Sequence, residues 1–178
     1  MVVAGNIEDG SAFKKCYVGK FDGAGALLWM QEISFGDDLV LSWATQTSDG
    51  GFAVLGKSAF TQTFSKVFVI KLDSAGTLVW NTMLDQDVQD QDPTPITEAA
   101  NGDLILAGVD SSLYGAAEGP RSFIIRLDAS GTQIWGNVYD FWPAGMDILF
   151  TLDLVEEPVS GDIFFTATPL TGSLLFLS

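Results

Sequence analysis

The feature that most constrains this chain is a ten-residue pattern, K/R-x-D-x-x-G-x-x-x-W, that occurs three times without gaps: KFDGAGALLW at 20–29, KLDSAGTLVW at 71–80 and RLDASGTQIW at 126–135. Its tryptophans, Trp29, Trp80 and Trp135, follow one another at 51 and 55 residues. A second signal recurs out of phase with the first: Ser48-Asp49-Gly50-Gly51-Phe52 leading to Gly56, Asn101-Gly102-Asp103 leading to Gly108, and Ser160-Gly161-Asp162 leading to Ala167. Two signals returning at a period near fifty indicate stacked copies of one supersecondary unit, because such a unit cannot cover its own apolar face and must bury it against a neighbour.

Each signal has a mechanical reading. In D-x-x-G the carboxylate can accept backbone N–H groups at the start of a turn, while glycine takes the left-handed conformation that closes a hairpin with a bulge. The flanks, Val67-Phe68-Val69-Ile70-Lys71-Leu72 before the turn and Thr77-Leu78-Val79-Trp80 after it, are rich in β-branched and aromatic residues and read as paired antiparallel strands. The Asp-Gly, Asn-Gly and Ser-Gly turns join an earlier strand, such as 95–100, to a later one, such as 104–108, which makes four strands per unit. Runs such as Phe52-Ala53-Val54-Leu55 and Phe123-Ile124-Ile125 are apolar at consecutive positions, so both faces of the sheet must be covered. No apolar period of 3.6 residues persists for three turns, and the expected class is all-β. The tryptophans, recurring at one phase of every unit, read as wedges between neighbouring units in preference to a ligand platform. Asp22, Asp73 and Asp128 read as turn formers, not catalytic acids.

Composition removes whole classes of function. Eight basic against twenty-three acidic residues give a formal charge of −15, which repels phosphate backbones and anionic membrane surfaces, so nucleic acid is not an expected partner. No histidine is present and Cys16 is the only cysteine. Within the chain this excludes a Ser-His-Asp triad, a Cys-His dyad, a histidine-ligated metal, an intrachain disulfide and a thiolate cluster. No apolar run is long enough for a membrane span, and residues 1–10 lack the basic and apolar regions of a signal peptide, so membrane insertion is not expected.

The order of strand, D/N/S-G turn, strand ending in glycine, strand ending in aspartate, G-turn and Trp-bearing strand resembles a kelch-like blade. The combination of K-x-D-x-x-G-x-x-x-W with T-S-D-G-G-F-x-x-x-G is more closely similar to bacterial propeller repeats of large secreted and surface-anchored proteins. The resemblance is clearest at 16–60 and 67–112, good at 122–137 and poor after 140, where Ala167 stands in place of glycine. It implies a β-propeller of four-stranded antiparallel blades, about three and a half in this chain: 1–34 without a first strand, 38–84, 92–139, and 147–178 without a fourth strand. It also implies a non-enzymatic scaffold for adhesion, recognition or assembly, outside the cell or at its surface. Quinoprotein dehydrogenase propellers carry a similar L-D-x-x-G-x-x-x-W turn, but the vicinal cysteine pair of their cofactor pocket cannot exist with Cys16 alone, so no cofactor is expected. A carboxylate-pair hydrolase is the remaining enzymatic alternative.

Natural propellers close with at least about four blades. The chain is therefore expected to be a segment of a longer protein or one partner in an assembly. Residues 1–5 and 174–177 then present open strand edges, and strand addition from the missing polypeptide or from a second copy is the expected protein contact. The stretch containing Asp85, Asp87, Asp90 and Asp92 has oxygen ligands for calcium but lacks the glycine and terminal glutamate of an EF-hand loop, and reads as a solvated acidic loop. Two loop insertions hold the candidate ligand-binding aromatics: Tyr114 in 111–121, and Phe141 with Trp142 in 139–146. An aromatic pair on a loop can stack on a sugar or hold a peptide, which gives a lectin-like module as the alternative function; it can equally cover a neighbouring blade.

Overall fold

The computed structural model describes residues 2–7, 15–35, 39–59, 65–88, 95–110, 121–139, 148–169 and 175–177. They form fourteen strands: β1 (Val2–Ile7), β2 (Lys15–Phe21), β3 (Leu27–Ile33), β4 (Leu39–Gln46), β5 (Phe52–Ala59), β6 (Ser65–Leu72), β7 (Leu78–Val88), β8 (Ile96–Glu98), β9 (Leu104–Asp110), β10 (Arg121–Leu127), β11 (Gln133–Tyr139), β12 (Ile148–Glu156), β13 (Ile163–Pro169) and β14 (Leu175–Leu177). Consecutive strands pair antiparallel into four sheets, β1-β2-β3, β4-β5-β6-β7, β8-β9-β10-β11 and β12-β13-β14. The described residues contain no helix, and the fold is all-β.

Local chemistry explains the tight hairpins. In the turn after β2, the N–H groups of Ala24 and Ala26 both donate to Asp22 Oδ1 at 2.8 Å. Asp73 does the same for Ala75 and Thr77 at 2.8 Å, and Asp128 for Ser130 and Thr132 at 2.9 Å. Gly25, Gly76 and Gly131 close these turns at φ values of 85°, 86° and 85°, where a Cβ is penalised. The strand register slips by one residue beside each turn, at Lys20/Phe21, Lys71/Leu72 and Arg126/Leu127, which is the bulge that a three-residue loop carries. Gly50, Gly102 and Gly161 take the same positive φ in the turns after β4, β8 and β12. These six turns lie at one end of their sheets. Residues 8–14, 36–38, 60–64, 89–94, 111–120, 140–147 and 170–174, between the remaining strands, lie outside the described residues.

The sheets are stacked face to face. Phe52, Val54, Phe68 and Ile70, on one face of the second sheet, pack with Cys16, Val18 and Ile33 of the first. Ala53, Leu55, Val67 and Val69, on its opposite face, pack with Ile96, Leu104, Leu106, Phe123, Ile125 and Leu127 of the third. The far face of the third sheet, with Ile105 and Ile124, meets Leu154 of the fourth. A strand such as β5 is therefore buried on both sides of its pleat, which is why its sequence lacks polar alternation. The outer strands β3, β7 and β11 differ: Leu28, Val79 and Ile134 are each more than half exposed.

Candidate functional site between the sheets

Successive sheets are joined at their turn ends by an indole. Trp29 on β3 donates its Nε1–H to the carbonyl of Ser74 at 3.2 Å, with its ring against Gly76. Trp80 on β7 repeats this one sheet further on, donating to the carbonyl of Ala129 at 3.0 Å with its ring against Gly131. Thr82 adds a hydroxyl bond to the carbonyl of Gly131 at 2.9 Å. Trp135 packs on the Ile105 and Ile124 face together with Ile163 and Phe165. The rings are thus occupied as wedges between sheets.

Polar clamps join the second sheet to the third and the third to the fourth. Glu98, at the end of β8, reaches back to the turn of the preceding sheet, where its carboxylate accepts the Ser48 N–H at 2.6 Å and the Ser48 hydroxyl at 3.1 Å. Glu156, at the end of β12, accepts the Ala100 N–H at 2.9 Å in the same way. Within the second sheet, Lys71 donates to both carboxylate oxygens of Asp49 at 3.0 and 2.8 Å and to the Leu72 carbonyl at 3.3 Å. In the third sheet the equivalent cation is Arg126, and its planar fork spans two sheets: Nε to Asp103 at 2.8 Å, Nη1 to Glu156 at 2.8 Å and Nη2 to the Asn101 side-chain oxygen at 3.0 Å. A cleft of about 200 Å³ lies between the second and third sheets, lined in part by Asp49, Lys71, Trp80, Glu98 and Leu104. The corresponding space between the first and second sheets, about 160 Å³, is lined by Val2, Lys20, Ala44, Gln46 and Phe52.

The electrostatics follow from these bonds. The Lys71 ammonium, with the Thr47 hydroxyl and the Gly51 N–H, holds the Asp49 carboxyl well below the usual carboxylate range. Asp73 is lowered chiefly by the Thr77 N–H, and Asp128 chiefly by the Ser130 hydroxyl. A carboxylate whose folded pKa is depressed stabilises the fold above its unfolded value of about 3.9 and loses that contribution as pH falls toward the folded value. Stability should accordingly be flat from pH 7 to about 5 and decline below about pH 4. Urea midpoints measured across that range test this; a midpoint that rises on acidification to pH 3 would contradict it.

Cys16 shows no reactive character. It is fully buried, burial pushes its thiol up to about 11, and its Sγ donates to Asn6 Oδ1 at 3.0 Å. Among the described residues no cluster of His, Cys, Asp or Glu has the arrangement of a metal site, and no helix is long and apolar enough to cross a membrane. Of the acidic stretch, Asp85 pairs with Lys66 at 2.7 Å, while Asp90 and Asp92 lie outside the described residues. Tyr114, Phe141 and Trp142 also lie outside them. The sequence reading missed the roles of Glu98, Glu156, Lys71 and Arg126. The signal was present as Gln46, Glu98 and Glu156, each one residue before its turn, and as a cation opening each D-x-x-G motif.

No protein-family model matches the chain. No curated protein matches it. Among solved structures it is similar to the crystal structure of a protein of unknown function from Bacteroides caccae, with a TM-score of 0.50 at 12% identity. That match covers 98% of this chain and 56% of the other, so this chain spans little more than half of the length of its structural neighbour. At that identity the likeness concerns the fold alone.

Proposed function

We propose that the four sheets are blades of a β-propeller, and that the chain serves as a non-enzymatic scaffold for adhesion, recognition or assembly at the cell surface or outside the cell. The observation that carries this reading is the repeated pair of indole contacts, Trp29 on Gly76 and Trp80 on Gly131. A constant face-to-face step between like sheets is what radial repetition requires. The clamps support a scaffold over a catalyst, because Glu98, Glu156 and Arg126 are engaged in holding one sheet to the next. The resemblance to secreted and surface-anchored repeats, with the acidic surface, supports the location.

Assembly proceeds by strand addition. Among the described residues β1 and β14 each stand at the edge of a three-stranded sheet, where another strand, from the same polypeptide or from a second copy, can pair with them. Light scattering of the purified chain is expected to show concentration-dependent association, with amide exchange slowing at β1 and β14 as it proceeds. A concentration-independent monomer with slow exchange at both strands would refute the reading. The lectin-like alternative rests on loop aromatics alone, and glycan-array binding lost in Trp142→Ala is the result that would favour it.

A further inference from the structure

The clamp is complete in two sheets and half-built in one. Lys71 on β6 and Arg126 on β10 each bond to an aspartate at the turn that joins the first and second strands of their own sheet, Asp49 and Asp103. Lys20 occupies the same place on β2, as the residue opening the D-x-x-G motif and sitting just before the bulge. Among the described residues its sheet has no strand beyond β1 and its ammonium makes no ion pair. Instead it stands 5.4 Å from the centre of the Phe52 ring and lines a cleft together with Val2, Ala44 and Gln46. Cation–π contact with one phenyl face replaces a carboxylate only in part.

From this we infer that Lys20 is the selector of a strand-addition site at β1, and that its occupant is an extended peptide segment ending in an aspartate-bearing turn. The geometry is fixed by the second sheet. There β4 runs antiparallel to β5 with Thr45 opposite Ala53, and Ala53 in turn lies opposite Lys71. The chain then turns so that Asp49 meets Lys71. On the first sheet Val2 lies opposite Lys20 as Ala53 lies opposite Lys71. A strand laid along β1 in the same register therefore brings the aspartate of its turn to Lys20. Backbone pairing supplies affinity without regard to sequence, and the charge pair supplies the choice, since a chain carrying net charge −15 otherwise repels acidic segments. The inference rests on the strand-addition reading above and adds to it the chemistry of the partner.

A fluorescein-labelled peptide with the sequence of residues 39–51, LVLSWATQTSDGG, serves as the probe, with anisotropy as the readout against the full chain. Saturable binding is expected. Lys20→Gln should weaken it about three- to fivefold, as should replacement of the peptide's aspartate by asparagine, and the two together should weaken it no more than either alone. Lys20→Arg should retain binding, which separates loss of the charge from loss of the fold, and the thermal midpoint of each variant provides the second check. Equal binding to the native chain and to Lys20→Gln would overturn the selector role while leaving strand addition intact. Absence of binding to the native chain at millimolar peptide would overturn both.

Discussion

Alanine at Gly76 is expected to lower the thermal midpoint by roughly 4–20 °C, against roughly 2–8 °C for alanine at Gly25, although the two glycines share one backbone conformation. Both have φ near +85°, so both substitutions carry the left-handed penalty of about 1–2 kcal/mol. Only Gly76 supports an indole. A Cβ there would lie 2.8 Å from Cδ2 and Cε3 of Trp29, whereas at Gly25 it would meet nothing within 4 Å. Forcing a methyl group into a packed aromatic contact adds about 1–3 kcal/mol, and a domain of this size shifts by about 2–4 °C for each kcal/mol. Gly131→Ala should behave like Gly76→Ala, because its Cβ would approach Trp80 Cε3 to 2.7 Å. The cycle with Trp29→Ala isolates the contact: in that background Gly76→Ala should cost no more than Gly25→Ala. Equal midpoints for Gly76→Ala and Gly25→Ala in the native background would mean that the wedge does not hold the sheets at a fixed spacing.

What was legible in the sequence, and what was not, divides by distance along the chain. The D-x-x-G hairpins were legible because their chemistry is local: Asp73 serves N–H groups two and four residues on, and Gly76 closes the same turn. The stacking was legible from strands such as β5 and β10, whose uninterrupted apolar residues demand cover on both faces. The tryptophans could be read as wedges because only packing between repeats requires the same side chain at the same phase. The clamps were not legible. Glu98 caps a turn 50 residues upstream and Glu156 one that lies 56 residues upstream, and no local pattern announces such a pair. The difference between Lys71 and Arg126 reads as a conservative exchange, yet it changes what is held. The lysine binds Asp49 within its sheet, leaving Glu98 to Ser48, while the arginine joins Asp103 and Glu156 from different sheets.

That difference leads to the second large effect. Arg126→Met should destabilise the chain by about 3–5 kcal/mol, because removing one member of a buried ion network leaves the others as uncompensated charges. The surroundings decide the size. The side chains of Asp103 and Glu156 are only 13% and 7% exposed, so neither carboxylate can recover its hydration by a small movement. Asp49 is 61% exposed, and when Lys71 is replaced by Met its carboxylate turns to water, at a cost of about 1 kcal/mol or less. Arg126→Lys should fall between the two, since an ammonium reaches one carboxylate as Lys71 does but has no fork to hold both. Adding Glu156→Gln to Arg126→Met should restore about 1–3 kcal/mol, because the amide keeps an oxygen for the Ala100 N–H while removing the stranded charge. Urea unfolding at pH 7, followed by tryptophan fluorescence, gives all four values. If Arg126→Met and Lys71→Met unfold at the same urea concentration, the bridge between the third and fourth sheets contributes no more than a surface ion pair, and the clamps do not hold the stack together.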